Sequence, residues 1–506
     1  MQVIPSFTIW SSSAKLLALG ALLVFGTVTA HAGTVDPELT ARVRRESVAQ
    51  RYPVVIRLVK QASVADLSAR VASLPQPQRG GRLLEALEAF AKVQQAPLLT
   101  ELKTRAAERV TPLATVNAIA ADLTARDIRE LALRDDVASL RYDIGLLAPT
   151  RQAVADPCRP ARPTPKVRLP KFCNNGAAGA ASPAAVAAAF DSKAPASAAI
   201  APLGVAEAWQ AGFTGKGVTV ALIDTGVDAR HPDLAGSFRA GAGDWFDVHG
   251  EQARPVDRHG HGSQIAGLVV GANGSGQTLG VAPQAKWIAA RVYNNRNIGR
   301  LSDLHRIMAW VLDPDGKPAT PDTPQIALNA WGLGDRPGSC DTEFASDIAW
   351  LRAAGVHVVF AGGNGGPADN SSVSPANNPG ALAVGAIDAA GQLASFSSRG
   401  LSACDRRAYP DVTAPGEVLR TTDLSAGALA SYAVGTGSSY AAALVAGELA
   451  LLLQARPAQG MLEREALLRP VAGDTRPALL RALGLTAVAP RTGTTVSIAA
   501  TAEAPR

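Results

Sequence analysis

The sequence predicts an α/β fold in three layers, a mostly parallel central sheet between helices, preceded by a small α+β unit. Three observations predict it. From residue 201 to 488, apolar runs ending at Asp224, near Arg291, at Trp331 and at Phe360 alternate with helical patterns. Such alternation marks a parallel sheet with helices on both faces. Asp224 and Asn364 closely follow two of those runs, and functional residues of open parallel sheets lie at the carboxyl ends of strands. Residues 33–147 instead follow a β-α-β-α-β pattern that reads as a separate unit. A chain of 506 residues has room for two or three such units.

Taken in order, residues 1–32 read as a secretory signal peptide. Lys15 precedes an apolar run over 16–28, and Ala30-His31-Ala32 supplies small residues for cleavage. The run is too short and wrongly flanked for a spanning helix, and no later stretch is long and apolar enough to be one. In 33–147, Pro53–Val59 reads as a strand. Residues 82–109 read as a helix with Leu83, Leu84, Leu87, Phe90 and Ala91 on one stripe. Ala114–Ala120 reads as a strand, Thr124–Leu133 as a helix capped by Thr124 with Asp127 three residues on, and Val137–Tyr142 as a strand. Residues 148–200 are Pro/Arg-rich and then Ala-rich, the composition of a linker that buries little. The large unit follows over 201–488, and 489–506 read as a disordered tail.

Residues 1–200 carry 25 basic against 16 acidic side chains, and residues 201–506 carry 24 against 27. The net +6 therefore comes from the N-terminal part. No basic stripe is interleaved with aromatics, so nucleic-acid binding is not indicated. Four cysteines in an exported chain favour two disulfides. Three connectivities are open; the preferred one pairs Cys158 with Cys173 and Cys340 with Cys404. No Cys-x-x-Cys is present to hold zinc.

Three short motifs carry the chemistry. They are Leu222-Ile-Asp224-Thr-Gly226, His259-Gly-His261-Gly-Ser263 and Gly437-Ser438-Ser439-Tyr440-Ala-Ala442. A serine hydroxyl becomes a useful nucleophile when an imidazole takes its proton and a buried carboxylate fixes that imidazole. Asp, His and Ser occur here in that chain order, which is the subtilisin order; the Gly-x-Ser-x-Gly elbow of α/β-hydrolases is missing. Val218–Asp228, His231-Pro-Asp-Leu234, Gly260–Gly267, Val358–Gly366, Phe396–Gly400 and Asp411–Gly416 add further matching landmarks. On these residues the sequence resembles the subtilisin-like serine proteases (subtilases) over roughly 201–488.

The resemblance sets the register within each motif. His261-Gly-Ser-Gln-Ile-Ala-Gly matches the family's histidine motif, so His261 is the expected base and His259 a neighbour. A metal site built from His259, His261 and an Asp is the rival reading. Counting back from Val445-Ala-Gly447 makes Ser439 the expected nucleophile. Tyr440 and Ala443 stand where the family commonly has Met and Pro. Asn364 is the expected oxyanion donor. Ala330, Trp331 and Gly332 are the expected edge that pairs with substrate backbone, with Ala330 where Ser is usual.

The resemblance implies a secreted serine endopeptidase, periplasmic or extracellular, made as a zymogen. Residues 33–147 would be a pro-region that assists folding and blocks the cleft, cut away in or just before 148–200. No cofactor is required. Calcium is common in the family, and Asp233 and Asn273 are the nearest candidate ligands here. The expected partners are a protein or peptide substrate and the pro-region, without nucleic acid and without a membrane once the signal is removed; a monomer is expected. A catalytically inactive binding or chaperone protein, and a peptide-processing transferase, are the alternatives on the same scaffold.

Overall fold

The computed structural model describes residues 33–45, 50–149, 154–155, 196–272, 274–334, 336–426, 429–471 and 476–486. The expected signal peptide, most of the expected linker with Cys158 and Cys173, the candidate ligand Asn273 and the expected tail lie outside these residues.

The N-terminal unit contains β1 (Thr34–Val35), α1 (Pro37–Arg45), β2 (Arg51–Leu58), α2 (Val64–Val71), α3 (Gln76–Thr104), β3 (Glu108–Leu113), β4 (Ala118–Thr124), α4 (Ala125–Leu131) and β5 (Val137–Tyr142). Its five strands lie in the order β1-β5-β2-β4-β3. The helix expected over 82–109 starts at Gln76 and stops at Thr104. The strand expected at Ala114–Ala120 is instead a hairpin, β3 and β4, turning at Ala114–Asn117. The buried Gln95 side chain holds that turn by donating to Leu113 O, Asn117 Oδ1 and Ala118 O, and a partner so distant in sequence is invisible to local pattern. Thr124 caps α4 in a reciprocal pair with Asp127, as expected.

Two short strands follow, β6 (Gly145–Leu147) and β7 (Val154–Ala155). The large unit then runs α5 (Val205–Gln210), β8 (Thr219–Asp224), α6 (Pro232–Ala235), β9 (Trp245–Asp247), α7 (His261–Val270), β10 (Lys286–Arg291), β11 (Ile298–Arg300), α8 (Leu301–Leu312), β12 (Ile326–Asn329), α9 (Ala345–Ala353), β13 (His357–Ala361) and β14 (Leu382–Ile387). It continues through β15 (Gly400–Leu401), β16 (Ala408–Tyr409), β17 (Val412–Pro415), β18 (Leu419–Ala426), β19 (Leu429–Gly435), α10 (Ser438–Ala455), α11 (Met461–Leu467) and α12 (Ala478–Leu483). Seven strands form one sheet in the order β17-β14-β13-β12-β8-β10-β9, and every pairing in it is parallel. The strand expected to reach Trp331 ends two residues earlier, at Asn329.

Alternation along β8 shows how the layers form. Val220 and Leu222 enter the core with Ile265 of α7 and Leu444 of α10. Ala221 and Ile223 enter the opposite core with Leu304 of α8 and Leu351 of α9. Both faces are covered, so the strand is apolar throughout. Contrary to the expectation that no later stretch is long and apolar enough to span a membrane, helix α10 passes on length and composition; it is apolar because it is a core helix, buried beneath the sheet. A disulfide joins Cys340 to Cys404, as expected.

The small unit rests on the α8/α9 face. Leu83, Leu84 and Leu87 of α3 belong to the same core as those helices. Gly80 lets α3 approach: a Cβ there would run into Leu312 O and Thr323. Around this contact the bonds are polar and buried or partly buried. Thr115 Oγ1 donates to Asp347 Oδ1 at 2.6 Å, and Arg141 reaches Asp341 and Glu343 at 2.7 and 2.9 Å. His305 of α8 lies between Asp347 and Glu343 at 2.8 and 3.0 Å. Burial opposes its charge, but the two carboxylates prevail and push its pKa up to about 9.

Candidate active site

Strand β8 delivers Asp224 at its carboxyl end, and the backbone N–H of Thr225 donates to Asp224 Oδ1 at 2.7 Å. His261 is the first residue of α7. Its Nδ1 sits 2.8 and 2.9 Å from the two Asp224 oxygens. Gly262 makes this approach feasible, because any Cβ there would run into Gly226 O and the Asp224 side chain. Burial disfavours the imidazolium, yet the Asp224 carboxylate outweighs it, so the His261 pKa is raised above its usual 6.5.

Ser438 and Ser439 open α10 behind Gly437. Their hydroxyls do different things. Ser438 Oγ accepts from Gly363 N at 3.0 Å, and Ser438 N donates to Asn364 Oδ1 at 2.9 Å. Ser438 thus clamps the loop after β13 onto the helix start. Ser439 Oγ donates to Ala330 O at 3.1 Å, and no hydrogen bond joins it to His261 in this state. It lies at the helix end where free N–H groups and the dipole favour negative charge. Asn364 is exposed. With its Oδ1 bound to Ser438, its amide NH2 is turned toward Gly437. Tyr440 fills the place beyond the serine: its hydroxyl donates to Gln264 Oε1 at 2.6 Å and its ring meets His261 edge-on at 6.1 Å.

Ala330, Trp331 and Gly332 follow β12 beside this serine. Only their backbone is available, since the Trp331 ring is 6% exposed and packs edge-on against Phe344 and Phe360. His259 is half-buried with its ring 6.5 Å from that of His261. The Nδ1 of His261 is held by Asp224, and among the described residues the two histidines belong to no group of three ligating side chains close enough to share an ion. Asp233 fits calcium poorly. Its Oδ1 accepts from Gly274 N at 2.6 Å and its Oδ2 from Tyr432 Oη at 2.9 Å, so protein donors hold both oxygens.

Two residues that sequence reading missed complete the site. Asp257 is 6% exposed and accepts from the backbone N–H groups of His259, Gly260 and Ser263 and from the hydroxyls of Thr225 and Ser263. The Thr225 hydroxyl in turn accepts from Gly262 N at 2.9 Å. An acidic residue four positions ahead of His261, and a hydroxyl directly after Asp224, were the available signals.

A family model described as the subtilase family matches residues 215–494. The chain belongs to the subtilase family. The subtilase is 35% identical over 287 residues to Bacillopeptidase F of Bacillus subtilis, covering 53% of this chain and 19% of that protein. It is 34% identical over 270 residues to Serine protease AprX of Bacillus subtilis, covering 48% of this chain and 59% of that one. Against Subtilisin BL of Lederbergia lenta it is 36% identical over 247 residues, covering 49% and 80%. The subtilase thus spans about a fifth of the first relative's length and about three fifths of the second's.

Proposed function

We propose that this subtilase is a serine endopeptidase in which Asp224, His261 and Ser439 act as a triad and Asn364 as oxyanion donor. The carrying observation is the buried Asp224–His261 pair, with two bonds under 3 Å, set against a serine at a helix N-terminus. Asp224 holds the imidazole with Nδ1 protonated, which leaves Nε2 as the base. For reaction the Ser439 hydroxyl swings from Ala330 O to His261 Nε2. It loses its proton there as Oγ bonds to the scissile carbonyl carbon. The developing oxyanion meets the Asn364 NH2 and the N-terminus of α10. His261 then returns the proton to the leaving amine, and water hydrolyses the acyl-enzyme by the reverse transfers. Names of the relatives such as Serine protease AprX support peptide-bond hydrolysis. Bacterial subtilisins are generally secreted, and the N-terminal sequence supports export here too.

Residues 33–147 are read as the pro-region. Strand β6 pairs antiparallel with β11, and β7 pairs antiparallel with β19, the strand that leads into the Ser439 helix. These pairings fasten the chain on both sides of the expected processing site to strands of the large unit, which supports a cut in or just before residues 148–200. Comparison of the wild type with Ser439→Ala tests both readings: the wild type separates into two species by mass, and the variant stays as one uncut chain without peptidase activity. A Ser439→Ala variant that still cuts itself and casein overturns the triad.

A further inference from the structure

We propose that Asp257 is a positioning residue that fixes the Asp224–His261 pair by tying the end of β8 to the first turn of α7. This rests on the triad reading above. Asp224 and His261 come from separate elements, and nothing covalent sets their separation. The link is a compact set of bonds around one carboxylate. Asp257 Oδ1 accepts from Thr225 Oγ1 at 3.0 Å and from His259 N and Gly260 N, both at 2.8 Å. Its Oδ2 accepts from Ser263 N and Ser263 Oγ, both at 2.9 Å.

Each hydroxyl in the set works twice. Thr225 Oγ1 accepts from Gly262 N at 2.9 Å while donating to Asp257. Ser263 Oγ accepts from Asp228 N at 3.0 Å while donating to Asp257. Thr225, which follows Asp224, and Gly260 and Gly262 on either side of His261 are therefore bound to the same carboxylate or to a hydroxyl it orients. All five partners are donors, so an acceptor-only group suits the position and an amide does not. Burial pushes the Asp257 pKa up, and these donors act against that shift.

The carboxylate also reaches His261 through space. Burial lowers the imidazole pKa, Asp224 raises it most strongly, and Asp257 raises it further. The other ionisable groups here are the His259 ring at 6.5 Å, the Tyr440 ring of α10 at 6.1 Å, and Tyr293 after β10, whose phenol pKa is pushed up by burial and further by Asp224. A positioning role therefore moves two observables together, turnover and the acid limb of the pH profile.

The test uses the full-length enzyme and a chromogenic peptide, with Asp257→Asn, Thr225→Val and Thr225→Ser. Misplacement of catalytic groups by about an ångström costs on the order of 100-fold. Asp257→Asn should lower kcat 10- to 100-fold (roughly) by the same argument, leave KM within about twofold, and move the acid limb of kcat/KM to lower pH. Thr225→Val should lower kcat, and Thr225→Ser should restore most of it. A folded Asp257→Asn enzyme with wild-type kcat and an unmoved acid limb overturns the proposal. If Asp257→Asn does not fold, Thr225→Val decides: unchanged kcat overturns the proposal, and a loss rescued by serine supports it. A wild type that hydrolyses nothing would instead remove the triad reading itself, a result distinguishable from either.

Discussion

Glu448 is a carboxyl in the wrong solvent, and neutralising it should stabilise the protein at alkaline pH. It lies in α10, is 4% exposed, and no described residue donates to it. Its neighbours one turn away on the helix, Leu444, Val445, Leu451 and Leu452, are at most 1% exposed. Burial alone pushes its pKa from 4.5 to about 8. Between those values the folded protein binds a proton that the unfolded chain has released. Stability from this group is therefore full below pH 4.5, falls as pH rises, and is gone above about 8. At about 1.4 kcal/mol per tenfold change in proton affinity, the ceiling is about 5 kcal/mol above pH 8, and about 3 kcal/mol is lost at pH 7. Glu448→Gln removes the titration without changing shape. Urea unfolding of both proteins in the Ser439→Ala background, which prevents self-digestion, should give nearly equal stabilities at pH 5 and a growing advantage for Gln at pH 7 and 9. His305, which titrates nearby in pH, is common to both proteins and cancels in the difference. Parallel stability curves across this range would refute the reasoning.

Three further outcomes follow from the site. Because the His261 pKa is raised, kcat/KM should fall with decreasing pH through a midpoint above 6.5; a maximum near pH 4 would speak for a carboxylate mechanism. Asn364→Ala should lower kcat by about 10²–10³ with little change in KM, read from steady-state hydrolysis. Arg141 anchors the small unit on Asp341 and Glu343. Arg141→Met in an added-back fragment of residues 33–149 should therefore weaken its inhibition of the processed enzyme about 10- to 100-fold, as loss of a charged hydrogen bond worth about 1.5–3 kcal/mol predicts; an unchanged inhibition constant would contradict the docking role.

Much of the large unit was legible because its strands are continuous apolar runs ended by chemistry-bearing residues. Asp224 closes β8 and Arg291 closes β10, where the sequence pattern puts them. Short motifs were legible for the same reason: His261 and Ser439 each open a helix, and glycines mark the tight approaches beside them. What stayed hidden depends on partners remote in sequence. The β3–β4 turn is held by Gln95 of α3, and Ala114–Ala120 therefore looked like one strand. Asp257 looked like any loop acid until the fold brought Thr225 to it. Asp233 looked like an ion ligand because its donors, Tyr432 and Gly274, arrive from elsewhere in the chain. The contacts of Thr115 and Arg141 with α9 and the segment before it join residues more than a hundred positions apart, which no local periodicity records.

The most direct test of the central claim is covalent labelling of the wild-type protein with a fluorophosphonate, followed by mass mapping of the modified peptide. Attack by the activated hydroxyl should place the label on Ser439 alone, with loss of peptidase activity in proportion to labelling, and prior substitution of His261 by Ala should suppress it. A label on Ser438, or an unlabelled protein that still hydrolyses peptides, would contradict the account.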